Sequence, residues 1–184
     1  VIPAALKFLG EDPDSSDAAV IEKVEPLLMG VRPFIQKFNS SEYINALANG
    51  DICVAFGWSG DILQARDRAA EANNGVEIAY NAPSEGALMW FDQMAIPVDA
   101  PNAEAAHKFL DFILNAENMA AASNYVYYAN GNKASQEFLA EDVIGDPAIY
   151  PSEKALENLY TKSPYDTKLQ RTVTRLWTKV KSGT

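Results

Sequence analysis

Aromatic residues and carboxylates occur together at two places in this chain, and a cluster of tyrosines forms a third aromatic group. They are Trp58-Ser59-Gly60-Asp61, Trp90-Phe91-Asp92 and the group Tyr125, Tyr127 and Tyr128. Aromatic faces attract organic cations by roughly 0.5–2 kcal/mol each, and carboxylates accept charge-assisted hydrogen bonds from ammonium groups. A site that holds both is suited to a small, flexible polyamine.

Composition excludes several other chemistries. The net charge of −10 argues against a nucleic-acid surface, which needs a basic patch, and favours a cationic ligand. One cysteine, Cys53, and one histidine, His107, cannot form a Cys/His zinc site, so we expect no metal and no cofactor. Cys53 lies in an apolar run, which predicts a buried side chain. A disulfide to a residue outside the chain is the alternative.

Alternating helices and strands must position these groups. Apolar or alternating runs predict strands at residues 51–56, 76–80 and 86–96. Periodic runs and terminal signals predict helices at 15–28, 42–48, 61–72, 103–114, 116–124, 152–160 and 167–181. The first aromatic–acidic run follows the strand predicted at 51–56, and the second follows the apolar residues at the start of the strand predicted at 86–96. This alternation indicates an α/β fold.

Several motifs, taken in order, resemble the polyamine-binding proteins of bacterial ABC importers. They are Gly50-Asp51-Ile52-Cys53-Val54-Ala55, Gly57-Trp58-Ser59-Gly60-Asp61, Glu85-Gly86-Ala87, Trp90-Phe91-Asp92, Ala95-Ile96-Pro97, Tyr127-Tyr128-Ala129-Asn130 and the stretch from Trp177 to Gly183. The resemblance covers essentially the whole chain, but only the C-terminal half of a family member. It implies a two-lobed periplasmic binding protein fold of type II-like topology, of which this chain contributes segments of both lobes.

The resemblance also implies a division of the chain and a set of partners. Residues 1–68 would belong to the second lobe, 69–141 to the first lobe, and 142–184 to the closing helices of the second lobe. We expect a periplasmic, non-enzymatic receptor that closes on its ligand and delivers it to an ABC permease. The N-terminal half, in the same protein or as a separate chain, would complete both lobes and supply the usual disulfide partner of Cys53.

Five residues match ligand-binding positions of the family. Trp58 would pack on the methylene chain of the ligand, and Trp90 would form an aromatic wall. Asp61 in the second lobe and Asp92 in the first would each bind an ammonium group, and Tyr128 would hydrogen-bond or stack near an amine. Methylenes prefer apolar faces, whereas a desolvated ammonium needs anionic or aromatic partners.

The residue at position 90 bears on ligand choice. Spermidine-preferring relatives tend to carry Trp at the matching position, whereas putrescine-preferring relatives carry Phe. Trp90 therefore predicts spermidine first and putrescine second.

Structural roles and other functions remain as alternatives. Taken singly, the tryptophans could be core residues, and Asp61 could be a helix N-terminal charge. Asp92 in an apolar strand is harder to explain, because an unpaired buried carboxylate is costly.

Ser59, Asp92 and His107 follow the chain order of a hydrolase triad, but the G-x-S-x-G elbow lacks its second glycine. Asp61 and Asp92 could instead serve a glycosidase or a neutral-sugar-binding protein.

Overall fold

Helices make up most of the regular structure. The computed structural model describes residues 1–184. The α-helices are α1 (Ile2–Phe8), α2 (Ala18–Glu22), α3 (Val24–Val31), α4 (Tyr43–Ala48), α5 (Ser59–Ala72), α6 (Ala103–Leu114), α7 (Ala116–Val126), α8 (Glu141–Ile144), α9 (Glu153–Leu156) and α10 (Thr167–Ser182). Short 3₁₀ helices lie at Arg32–Phe34 and Lys133–Phe138. None of the helices is long and apolar enough to span a membrane.

The residues pack into two units. The first unit comprises Val1–Asn39, Ala82–Phe91 and Glu153–Thr184, and the second comprises Ser40–Asn81 and Asp92–Ser152. These bounds differ from the predicted segments 1–68, 69–141 and 142–184, whose assignment to lobes stays a prediction.

Helix α10 supplies much of the core of the first unit. Its buried residues Leu169, Leu176 and Val180 recur at helical spacing and belong to one apolar cluster with residues of α1, α2 and α3. The Asp166 side chain caps the helix by accepting a hydrogen bond of 2.7 Å from the amide of Leu169. Gly183, at φ 78°, ends it. The helix predicted at 167–181 is confirmed.

The helix predicted at 15–28 is wrong as a single element. It begins at Ala18 and is divided into α2 and α3, which meet at Lys23. Pro26 explains the break, because it has no amide hydrogen and its ring would clash with the carbonyl of Glu22 in a continuous helix.

The second unit contains α4 and α5, which pack against each other. Tyr43, Leu47, Ile62 and Ala65 are the buried residues of this contact. The helices predicted at 42–48, 61–72, 103–114 and 116–124 are confirmed within about two residues at each end. The helix predicted at 152–160 is shorter, since α9 spans only Glu153–Leu156.

The three predicted strands are not formed as strands. In the segment 86–96 only Leu88 pairs, through a parallel bridge to Tyr160 in which the amide of Met89 donates to the Tyr160 carbonyl at 2.8 Å. The segments 51–56 and 76–80 have no strand partner within the described residues, and a strand requires a neighbour for its backbone hydrogen bonds. Val54 and Phe56 are accordingly 86% and 73% exposed.

Candidate ligand-binding site

The N-terminal end of α5 positions two of the predicted site residues. Trp58 is the N-cap residue, with extended backbone angles, and Asp61 lies in the first helical turn. A carboxylate is favoured there because the amide groups of the first turn carry partial positive charge. The segment therefore holds an aromatic face and an anionic group about one turn apart.

Both oxygens of the Asp61 carboxylate accept hydrogen bonds from tyrosine hydroxyls. The Tyr43 hydroxyl donates to Oδ2 in a short hydrogen bond, and the Tyr128 hydroxyl donates to Oδ1 at 3.4 Å. The second contact is the weaker one at this length. The Tyr43 oxygen also accepts a hydrogen bond of 3.2 Å from the amide of Trp58. The three side chains and this amide form one connected network.

The tyrosine hydroxyls in this network keep their protons well above neutral pH. Burial, followed by the hydrogen bond to Asp61, raises the pKa of Tyr43 far above its ordinary value of 10. Burial and the nearby negative charge of Asp61 raise the pKa of Tyr128 to about 12. Both groups are therefore neutral donors to the carboxylate at physiological pH.

Two glycines allow the tyrosine rings to approach the backbone. A Cβ atom on Gly57 would lie 2.5 Å from Cε2 of Tyr43, and one on Gly60 would lie 2.3 Å from Cε2 of Tyr128. Neither distance is possible between nonbonded atoms, so an alanine at either position would displace a ring. The glycines that flank Trp58 in the sequence thus have a packing role.

The loop that carries Tyr128 is held by buried polar groups. Tyr127 ends α7 in a left-handed conformation, with φ 58°. Three residues later, the Asn130 amide group donates to Ser123 Oγ at 2.8 Å and its oxygen accepts from Ser135 Oγ at 3.0 Å. Ser123 and Ser135 are both buried. These bonds fix the start of the loop and with it the position of the Tyr128 ring.

The structure joins only some of the predicted site residues. Trp58, Asp61 and Tyr128 lie together in the second unit, and the Trp58 side chain is 41% exposed. Asp92 is in the same unit but is exposed and outside any strand, so the interpretation of it as a buried strand carboxylate is wrong. Trp90 belongs to the first unit and is 45% exposed. The roles of these five residues in ligand binding stay predictions.

Tyr43 is a site residue that the motifs did not indicate. It begins α4, and its side chain is buried against α5. A usable signal was present, since the apolar spacing of Tyr43, Leu47 and Ala48 predicts a buried face. A buried tyrosine hydroxyl usually finds a hydrogen-bond partner.

The geometry corrects one expectation and disfavours one of the alternatives. Cys53 is exposed and free, because the run that contains it forms no covered strand, so the prediction of a buried side chain is wrong. Ser59 and His107 are not hydrogen-bonded to each other, and His107 is exposed on α6. The triad arrangement is therefore not assembled.

The N-terminal end of α5 holds a carboxylate, a tryptophan and tyrosines. This arrangement is compatible with a solute-binding protein. The family of bacterial extracellular solute-binding proteins matches residues 4–151. Because this match covers most of the chain, the chain belongs to that family.

Two individual proteins are similar to this chain over its whole length. The putrescine-binding periplasmic protein SpuD of Pseudomonas aeruginosa is 47% identical over 183 residues, covering 100% of this chain and 50% of that protein. The putrescine-binding periplasmic protein PotF of Escherichia coli is 46% identical over 184 residues, covering 100% of this chain and 50% of that protein. This chain spans about half the length of these relatives.

The fold of this chain is similar to that of a solute-binding protein of solved structure. The spermidine/putrescine ABC transporter substrate-binding protein PotD from Streptococcus pneumoniae matches with a TM-score of 0.78 at 27% identity, covering 100% of this chain and 55% of that chain. The fold expectation is therefore met at the level of a periplasmic solute-binding protein. The relatives are named for binding and not for catalysis, in agreement with the expectation of a non-enzymatic protein.

Proposed function

We propose that the chain is part of a receptor that captures a polyamine and delivers it to an ABC importer. The observation that carries this proposal is the Asp61 carboxylate, held by two neutral tyrosine hydroxyls in the first turn of a helix whose N-cap is the partly exposed Trp58. The names of SpuD and PotF support the same ligand class and a periplasmic location.

The chemistry of an alkylammonium group fits this arrangement. A carboxylate offers about four lone-pair positions, of which the tyrosines use two, so acceptor capacity remains for ligand N–H groups. The methylene chain gains free energy by leaving water for the Trp58 face. The charged group is then desolvated beside an anionic partner, which offsets the cost of its burial.

The proposal includes Trp90 and Asp92 as further ligand contacts. The resemblance assigns Asp92 to the first lobe and Asp61 to the second, so that a dication between them would favour a closed state. A partner chain that contains the N-terminal half belongs to the proposal too, as do the ABC permease and a disulfide of Cys53 to a residue outside this chain.

The identity of the polyamine rests on two opposing observations. Trp90 favours spermidine first and putrescine second, as argued from the sequence. The names of SpuD and PotF instead favour putrescine. Both ligands therefore belong in the first experiment.

The test is isothermal titration of putrescine, spermidine and glucose into the complete natural protein that carries this sequence. We expect polyamine binding that weakens as ionic strength rises, because salt screens charge pairs, and no binding of the sugar. A folded protein that binds neither polyamine would overturn the proposal. Sugar binding that is insensitive to salt would favour the neutral-sugar alternative.

A further inference from the structure

Tyr43 links the backbone of the α5 N-cap to the carboxylate one turn further on. Its side chain is only 8% exposed. The hydroxyl accepts from the amide of Trp58 and donates to Oδ2 of Asp61. One hydroxyl group thus couples the position of the aromatic residue to the orientation of the anionic one.

The Tyr43 ring has little freedom to move. It packs with Leu47 and Ile62 between α4 and α5, and its edge lies against the backbone at Gly57. The terminal torsion of an aspartate is broad when nothing holds it. A hydroxyl on a fixed ring restricts that torsion more than a water molecule would.

We infer that Tyr43 is a positioning residue for polyamine recognition, which fixes the Asp61 carboxylate so that its remaining lone pairs point to the ligand ammonium. This inference rests on the proposed function. Tyr128 assists from the other oxygen, but its longer hydrogen bond makes it the lesser contributor.

A positioning role has a distinctive signature in a double-mutant cycle. Tyr43→Phe keeps the ring and removes only the hydroxyl, so the packing of α4 on α5 is retained. If Tyr43 acts through Asp61, its hydroxyl has no anionic group to orient once Asn replaces the carboxylate. The effects of Tyr43→Phe and Asp61→Asn should therefore be strongly non-additive.

The experiment measures putrescine and spermidine affinity by titration for the wild type, both single variants and the double variant, in the complete natural protein. We expect Tyr43→Phe to weaken binding about tenfold when Asp61 is present. In the Asp61→Asn background, the same change should alter affinity by less than about twofold. The matched control is Tyr165→Phe, because the Tyr165 hydroxyl is buried without a hydrogen-bond partner. It should leave affinity unchanged.

A ligand-free measurement covers the case in which Tyr43→Phe fails to fold. The Tyr43 Cζ resonance is compared by carbon-13 NMR at neutral pH in the wild type and in Asp61→Asn, because this carbon senses the hydrogen bond of its hydroxyl. A change at Tyr43 but not at Tyr165 supports the inference, and an unchanged Tyr43 resonance overturns it.

The binding outcomes separate the two claims. Polyamine binding that Tyr43→Phe does not weaken, or weakens equally in both backgrounds, overturns the positioning role and leaves the proposed function intact. A folded wild type that binds no polyamine overturns the proposed function and this inference with it.

Discussion

The Lys162 ammonium donates a hydrogen bond of 2.8 Å to the Asp14 carboxylate, across 148 positions of the sequence. The amide and the hydroxyl of Ser163 donate to the same carboxylate at 2.7 and 2.8 Å. These donors join the loop before α2 to the loop before α10 within the first unit. The hydrogen bond from Lys162 has the largest effect, and together with those from Ser163 it lowers the pKa of Asp14 from 3.8 to about 2.

The lowered pKa of Asp14 predicts that the unfolding free energy decreases at acidic pH. The ionised form is favoured in the folded state, so its contribution is complete above pH 3.8 and is lost as the pH falls towards about 2. We expect Asp14→Asn to lack this part of the pH dependence of the unfolding free energy. Urea unfolding between these pH values measures it, with exposed Asp99→Asn as the control. If the unfolding free energy of Asp14→Asn and of the wild type decreased identically at acidic pH, Asp14 would not be the source of this pH dependence.

A second prediction concerns the approach of Tyr128 to Gly60. In Gly60→Ala the new methyl group displaces the ring, so we expect a loss of about 1–3 kcal/mol of stability and weaker polyamine binding. Gly30→Ala is the control, because Gly30 also lies in a helix and has open space around it. Thermal unfolding and titration of both variants test this, and equal behaviour of the two would show that the close contact is unimportant.

The raised pKa of Tyr128 predicts that the unfolding free energy decreases at alkaline pH. The protonated form is favoured in the folded state, so its contribution is complete below pH 10 and is lost as the pH rises towards about 12. Tyr128→Phe should reduce the slope of unfolding free energy against pH in this window. Chemical denaturation at several alkaline pH values measures the slope. An unaltered slope in the variant would contradict the environment described for this hydroxyl.

A fourth prediction decides whether Asp92 joins the ligand site. If it binds an ammonium group that becomes desolvated, Asp92→Asn should weaken putrescine binding more than about tenfold. Asp99→Asn is again the matched control, since Asp99 is an exposed aspartate nearby in the sequence. An affinity equal to that of the wild type would remove Asp92 from the site and leave Asp61 as its anionic residue.

Local signals predicted the helices better than they predicted the strands. The periodicity of α10 is contained within its own sequence, and the predicted bounds 167–181 agree with the observed Thr167–Ser182. The strand at 51–56 depends on pairing with segments that its own residues do not specify. The exposure of Cys53 follows from the same missing pairing.

The candidate site shows the same division. The positions of Trp58 and Asp61 at the start of α5 followed from motif and helix signals. The contribution of Tyr43 did not, because it depends on how α4 packs against α5. Pattern alone places residues along an element, whereas the hydrogen bonds between elements require the packed structure.

The last prediction tests the ranking of ligands through Trp90. A tryptophan offers a larger aromatic face than phenylalanine to a longer polyamine chain, so Trp90→Phe should lower the ratio of spermidine to putrescine affinity. Parallel titrations of both ligands into the wild type and the variant measure that ratio. Phe91→Leu is the control, because it removes a neighbouring exposed aromatic ring while keeping an apolar side chain. If the ratio is the same in Trp90→Phe and the wild type, the residue at position 90 does not select the ligand, and the preference must come from other contacts.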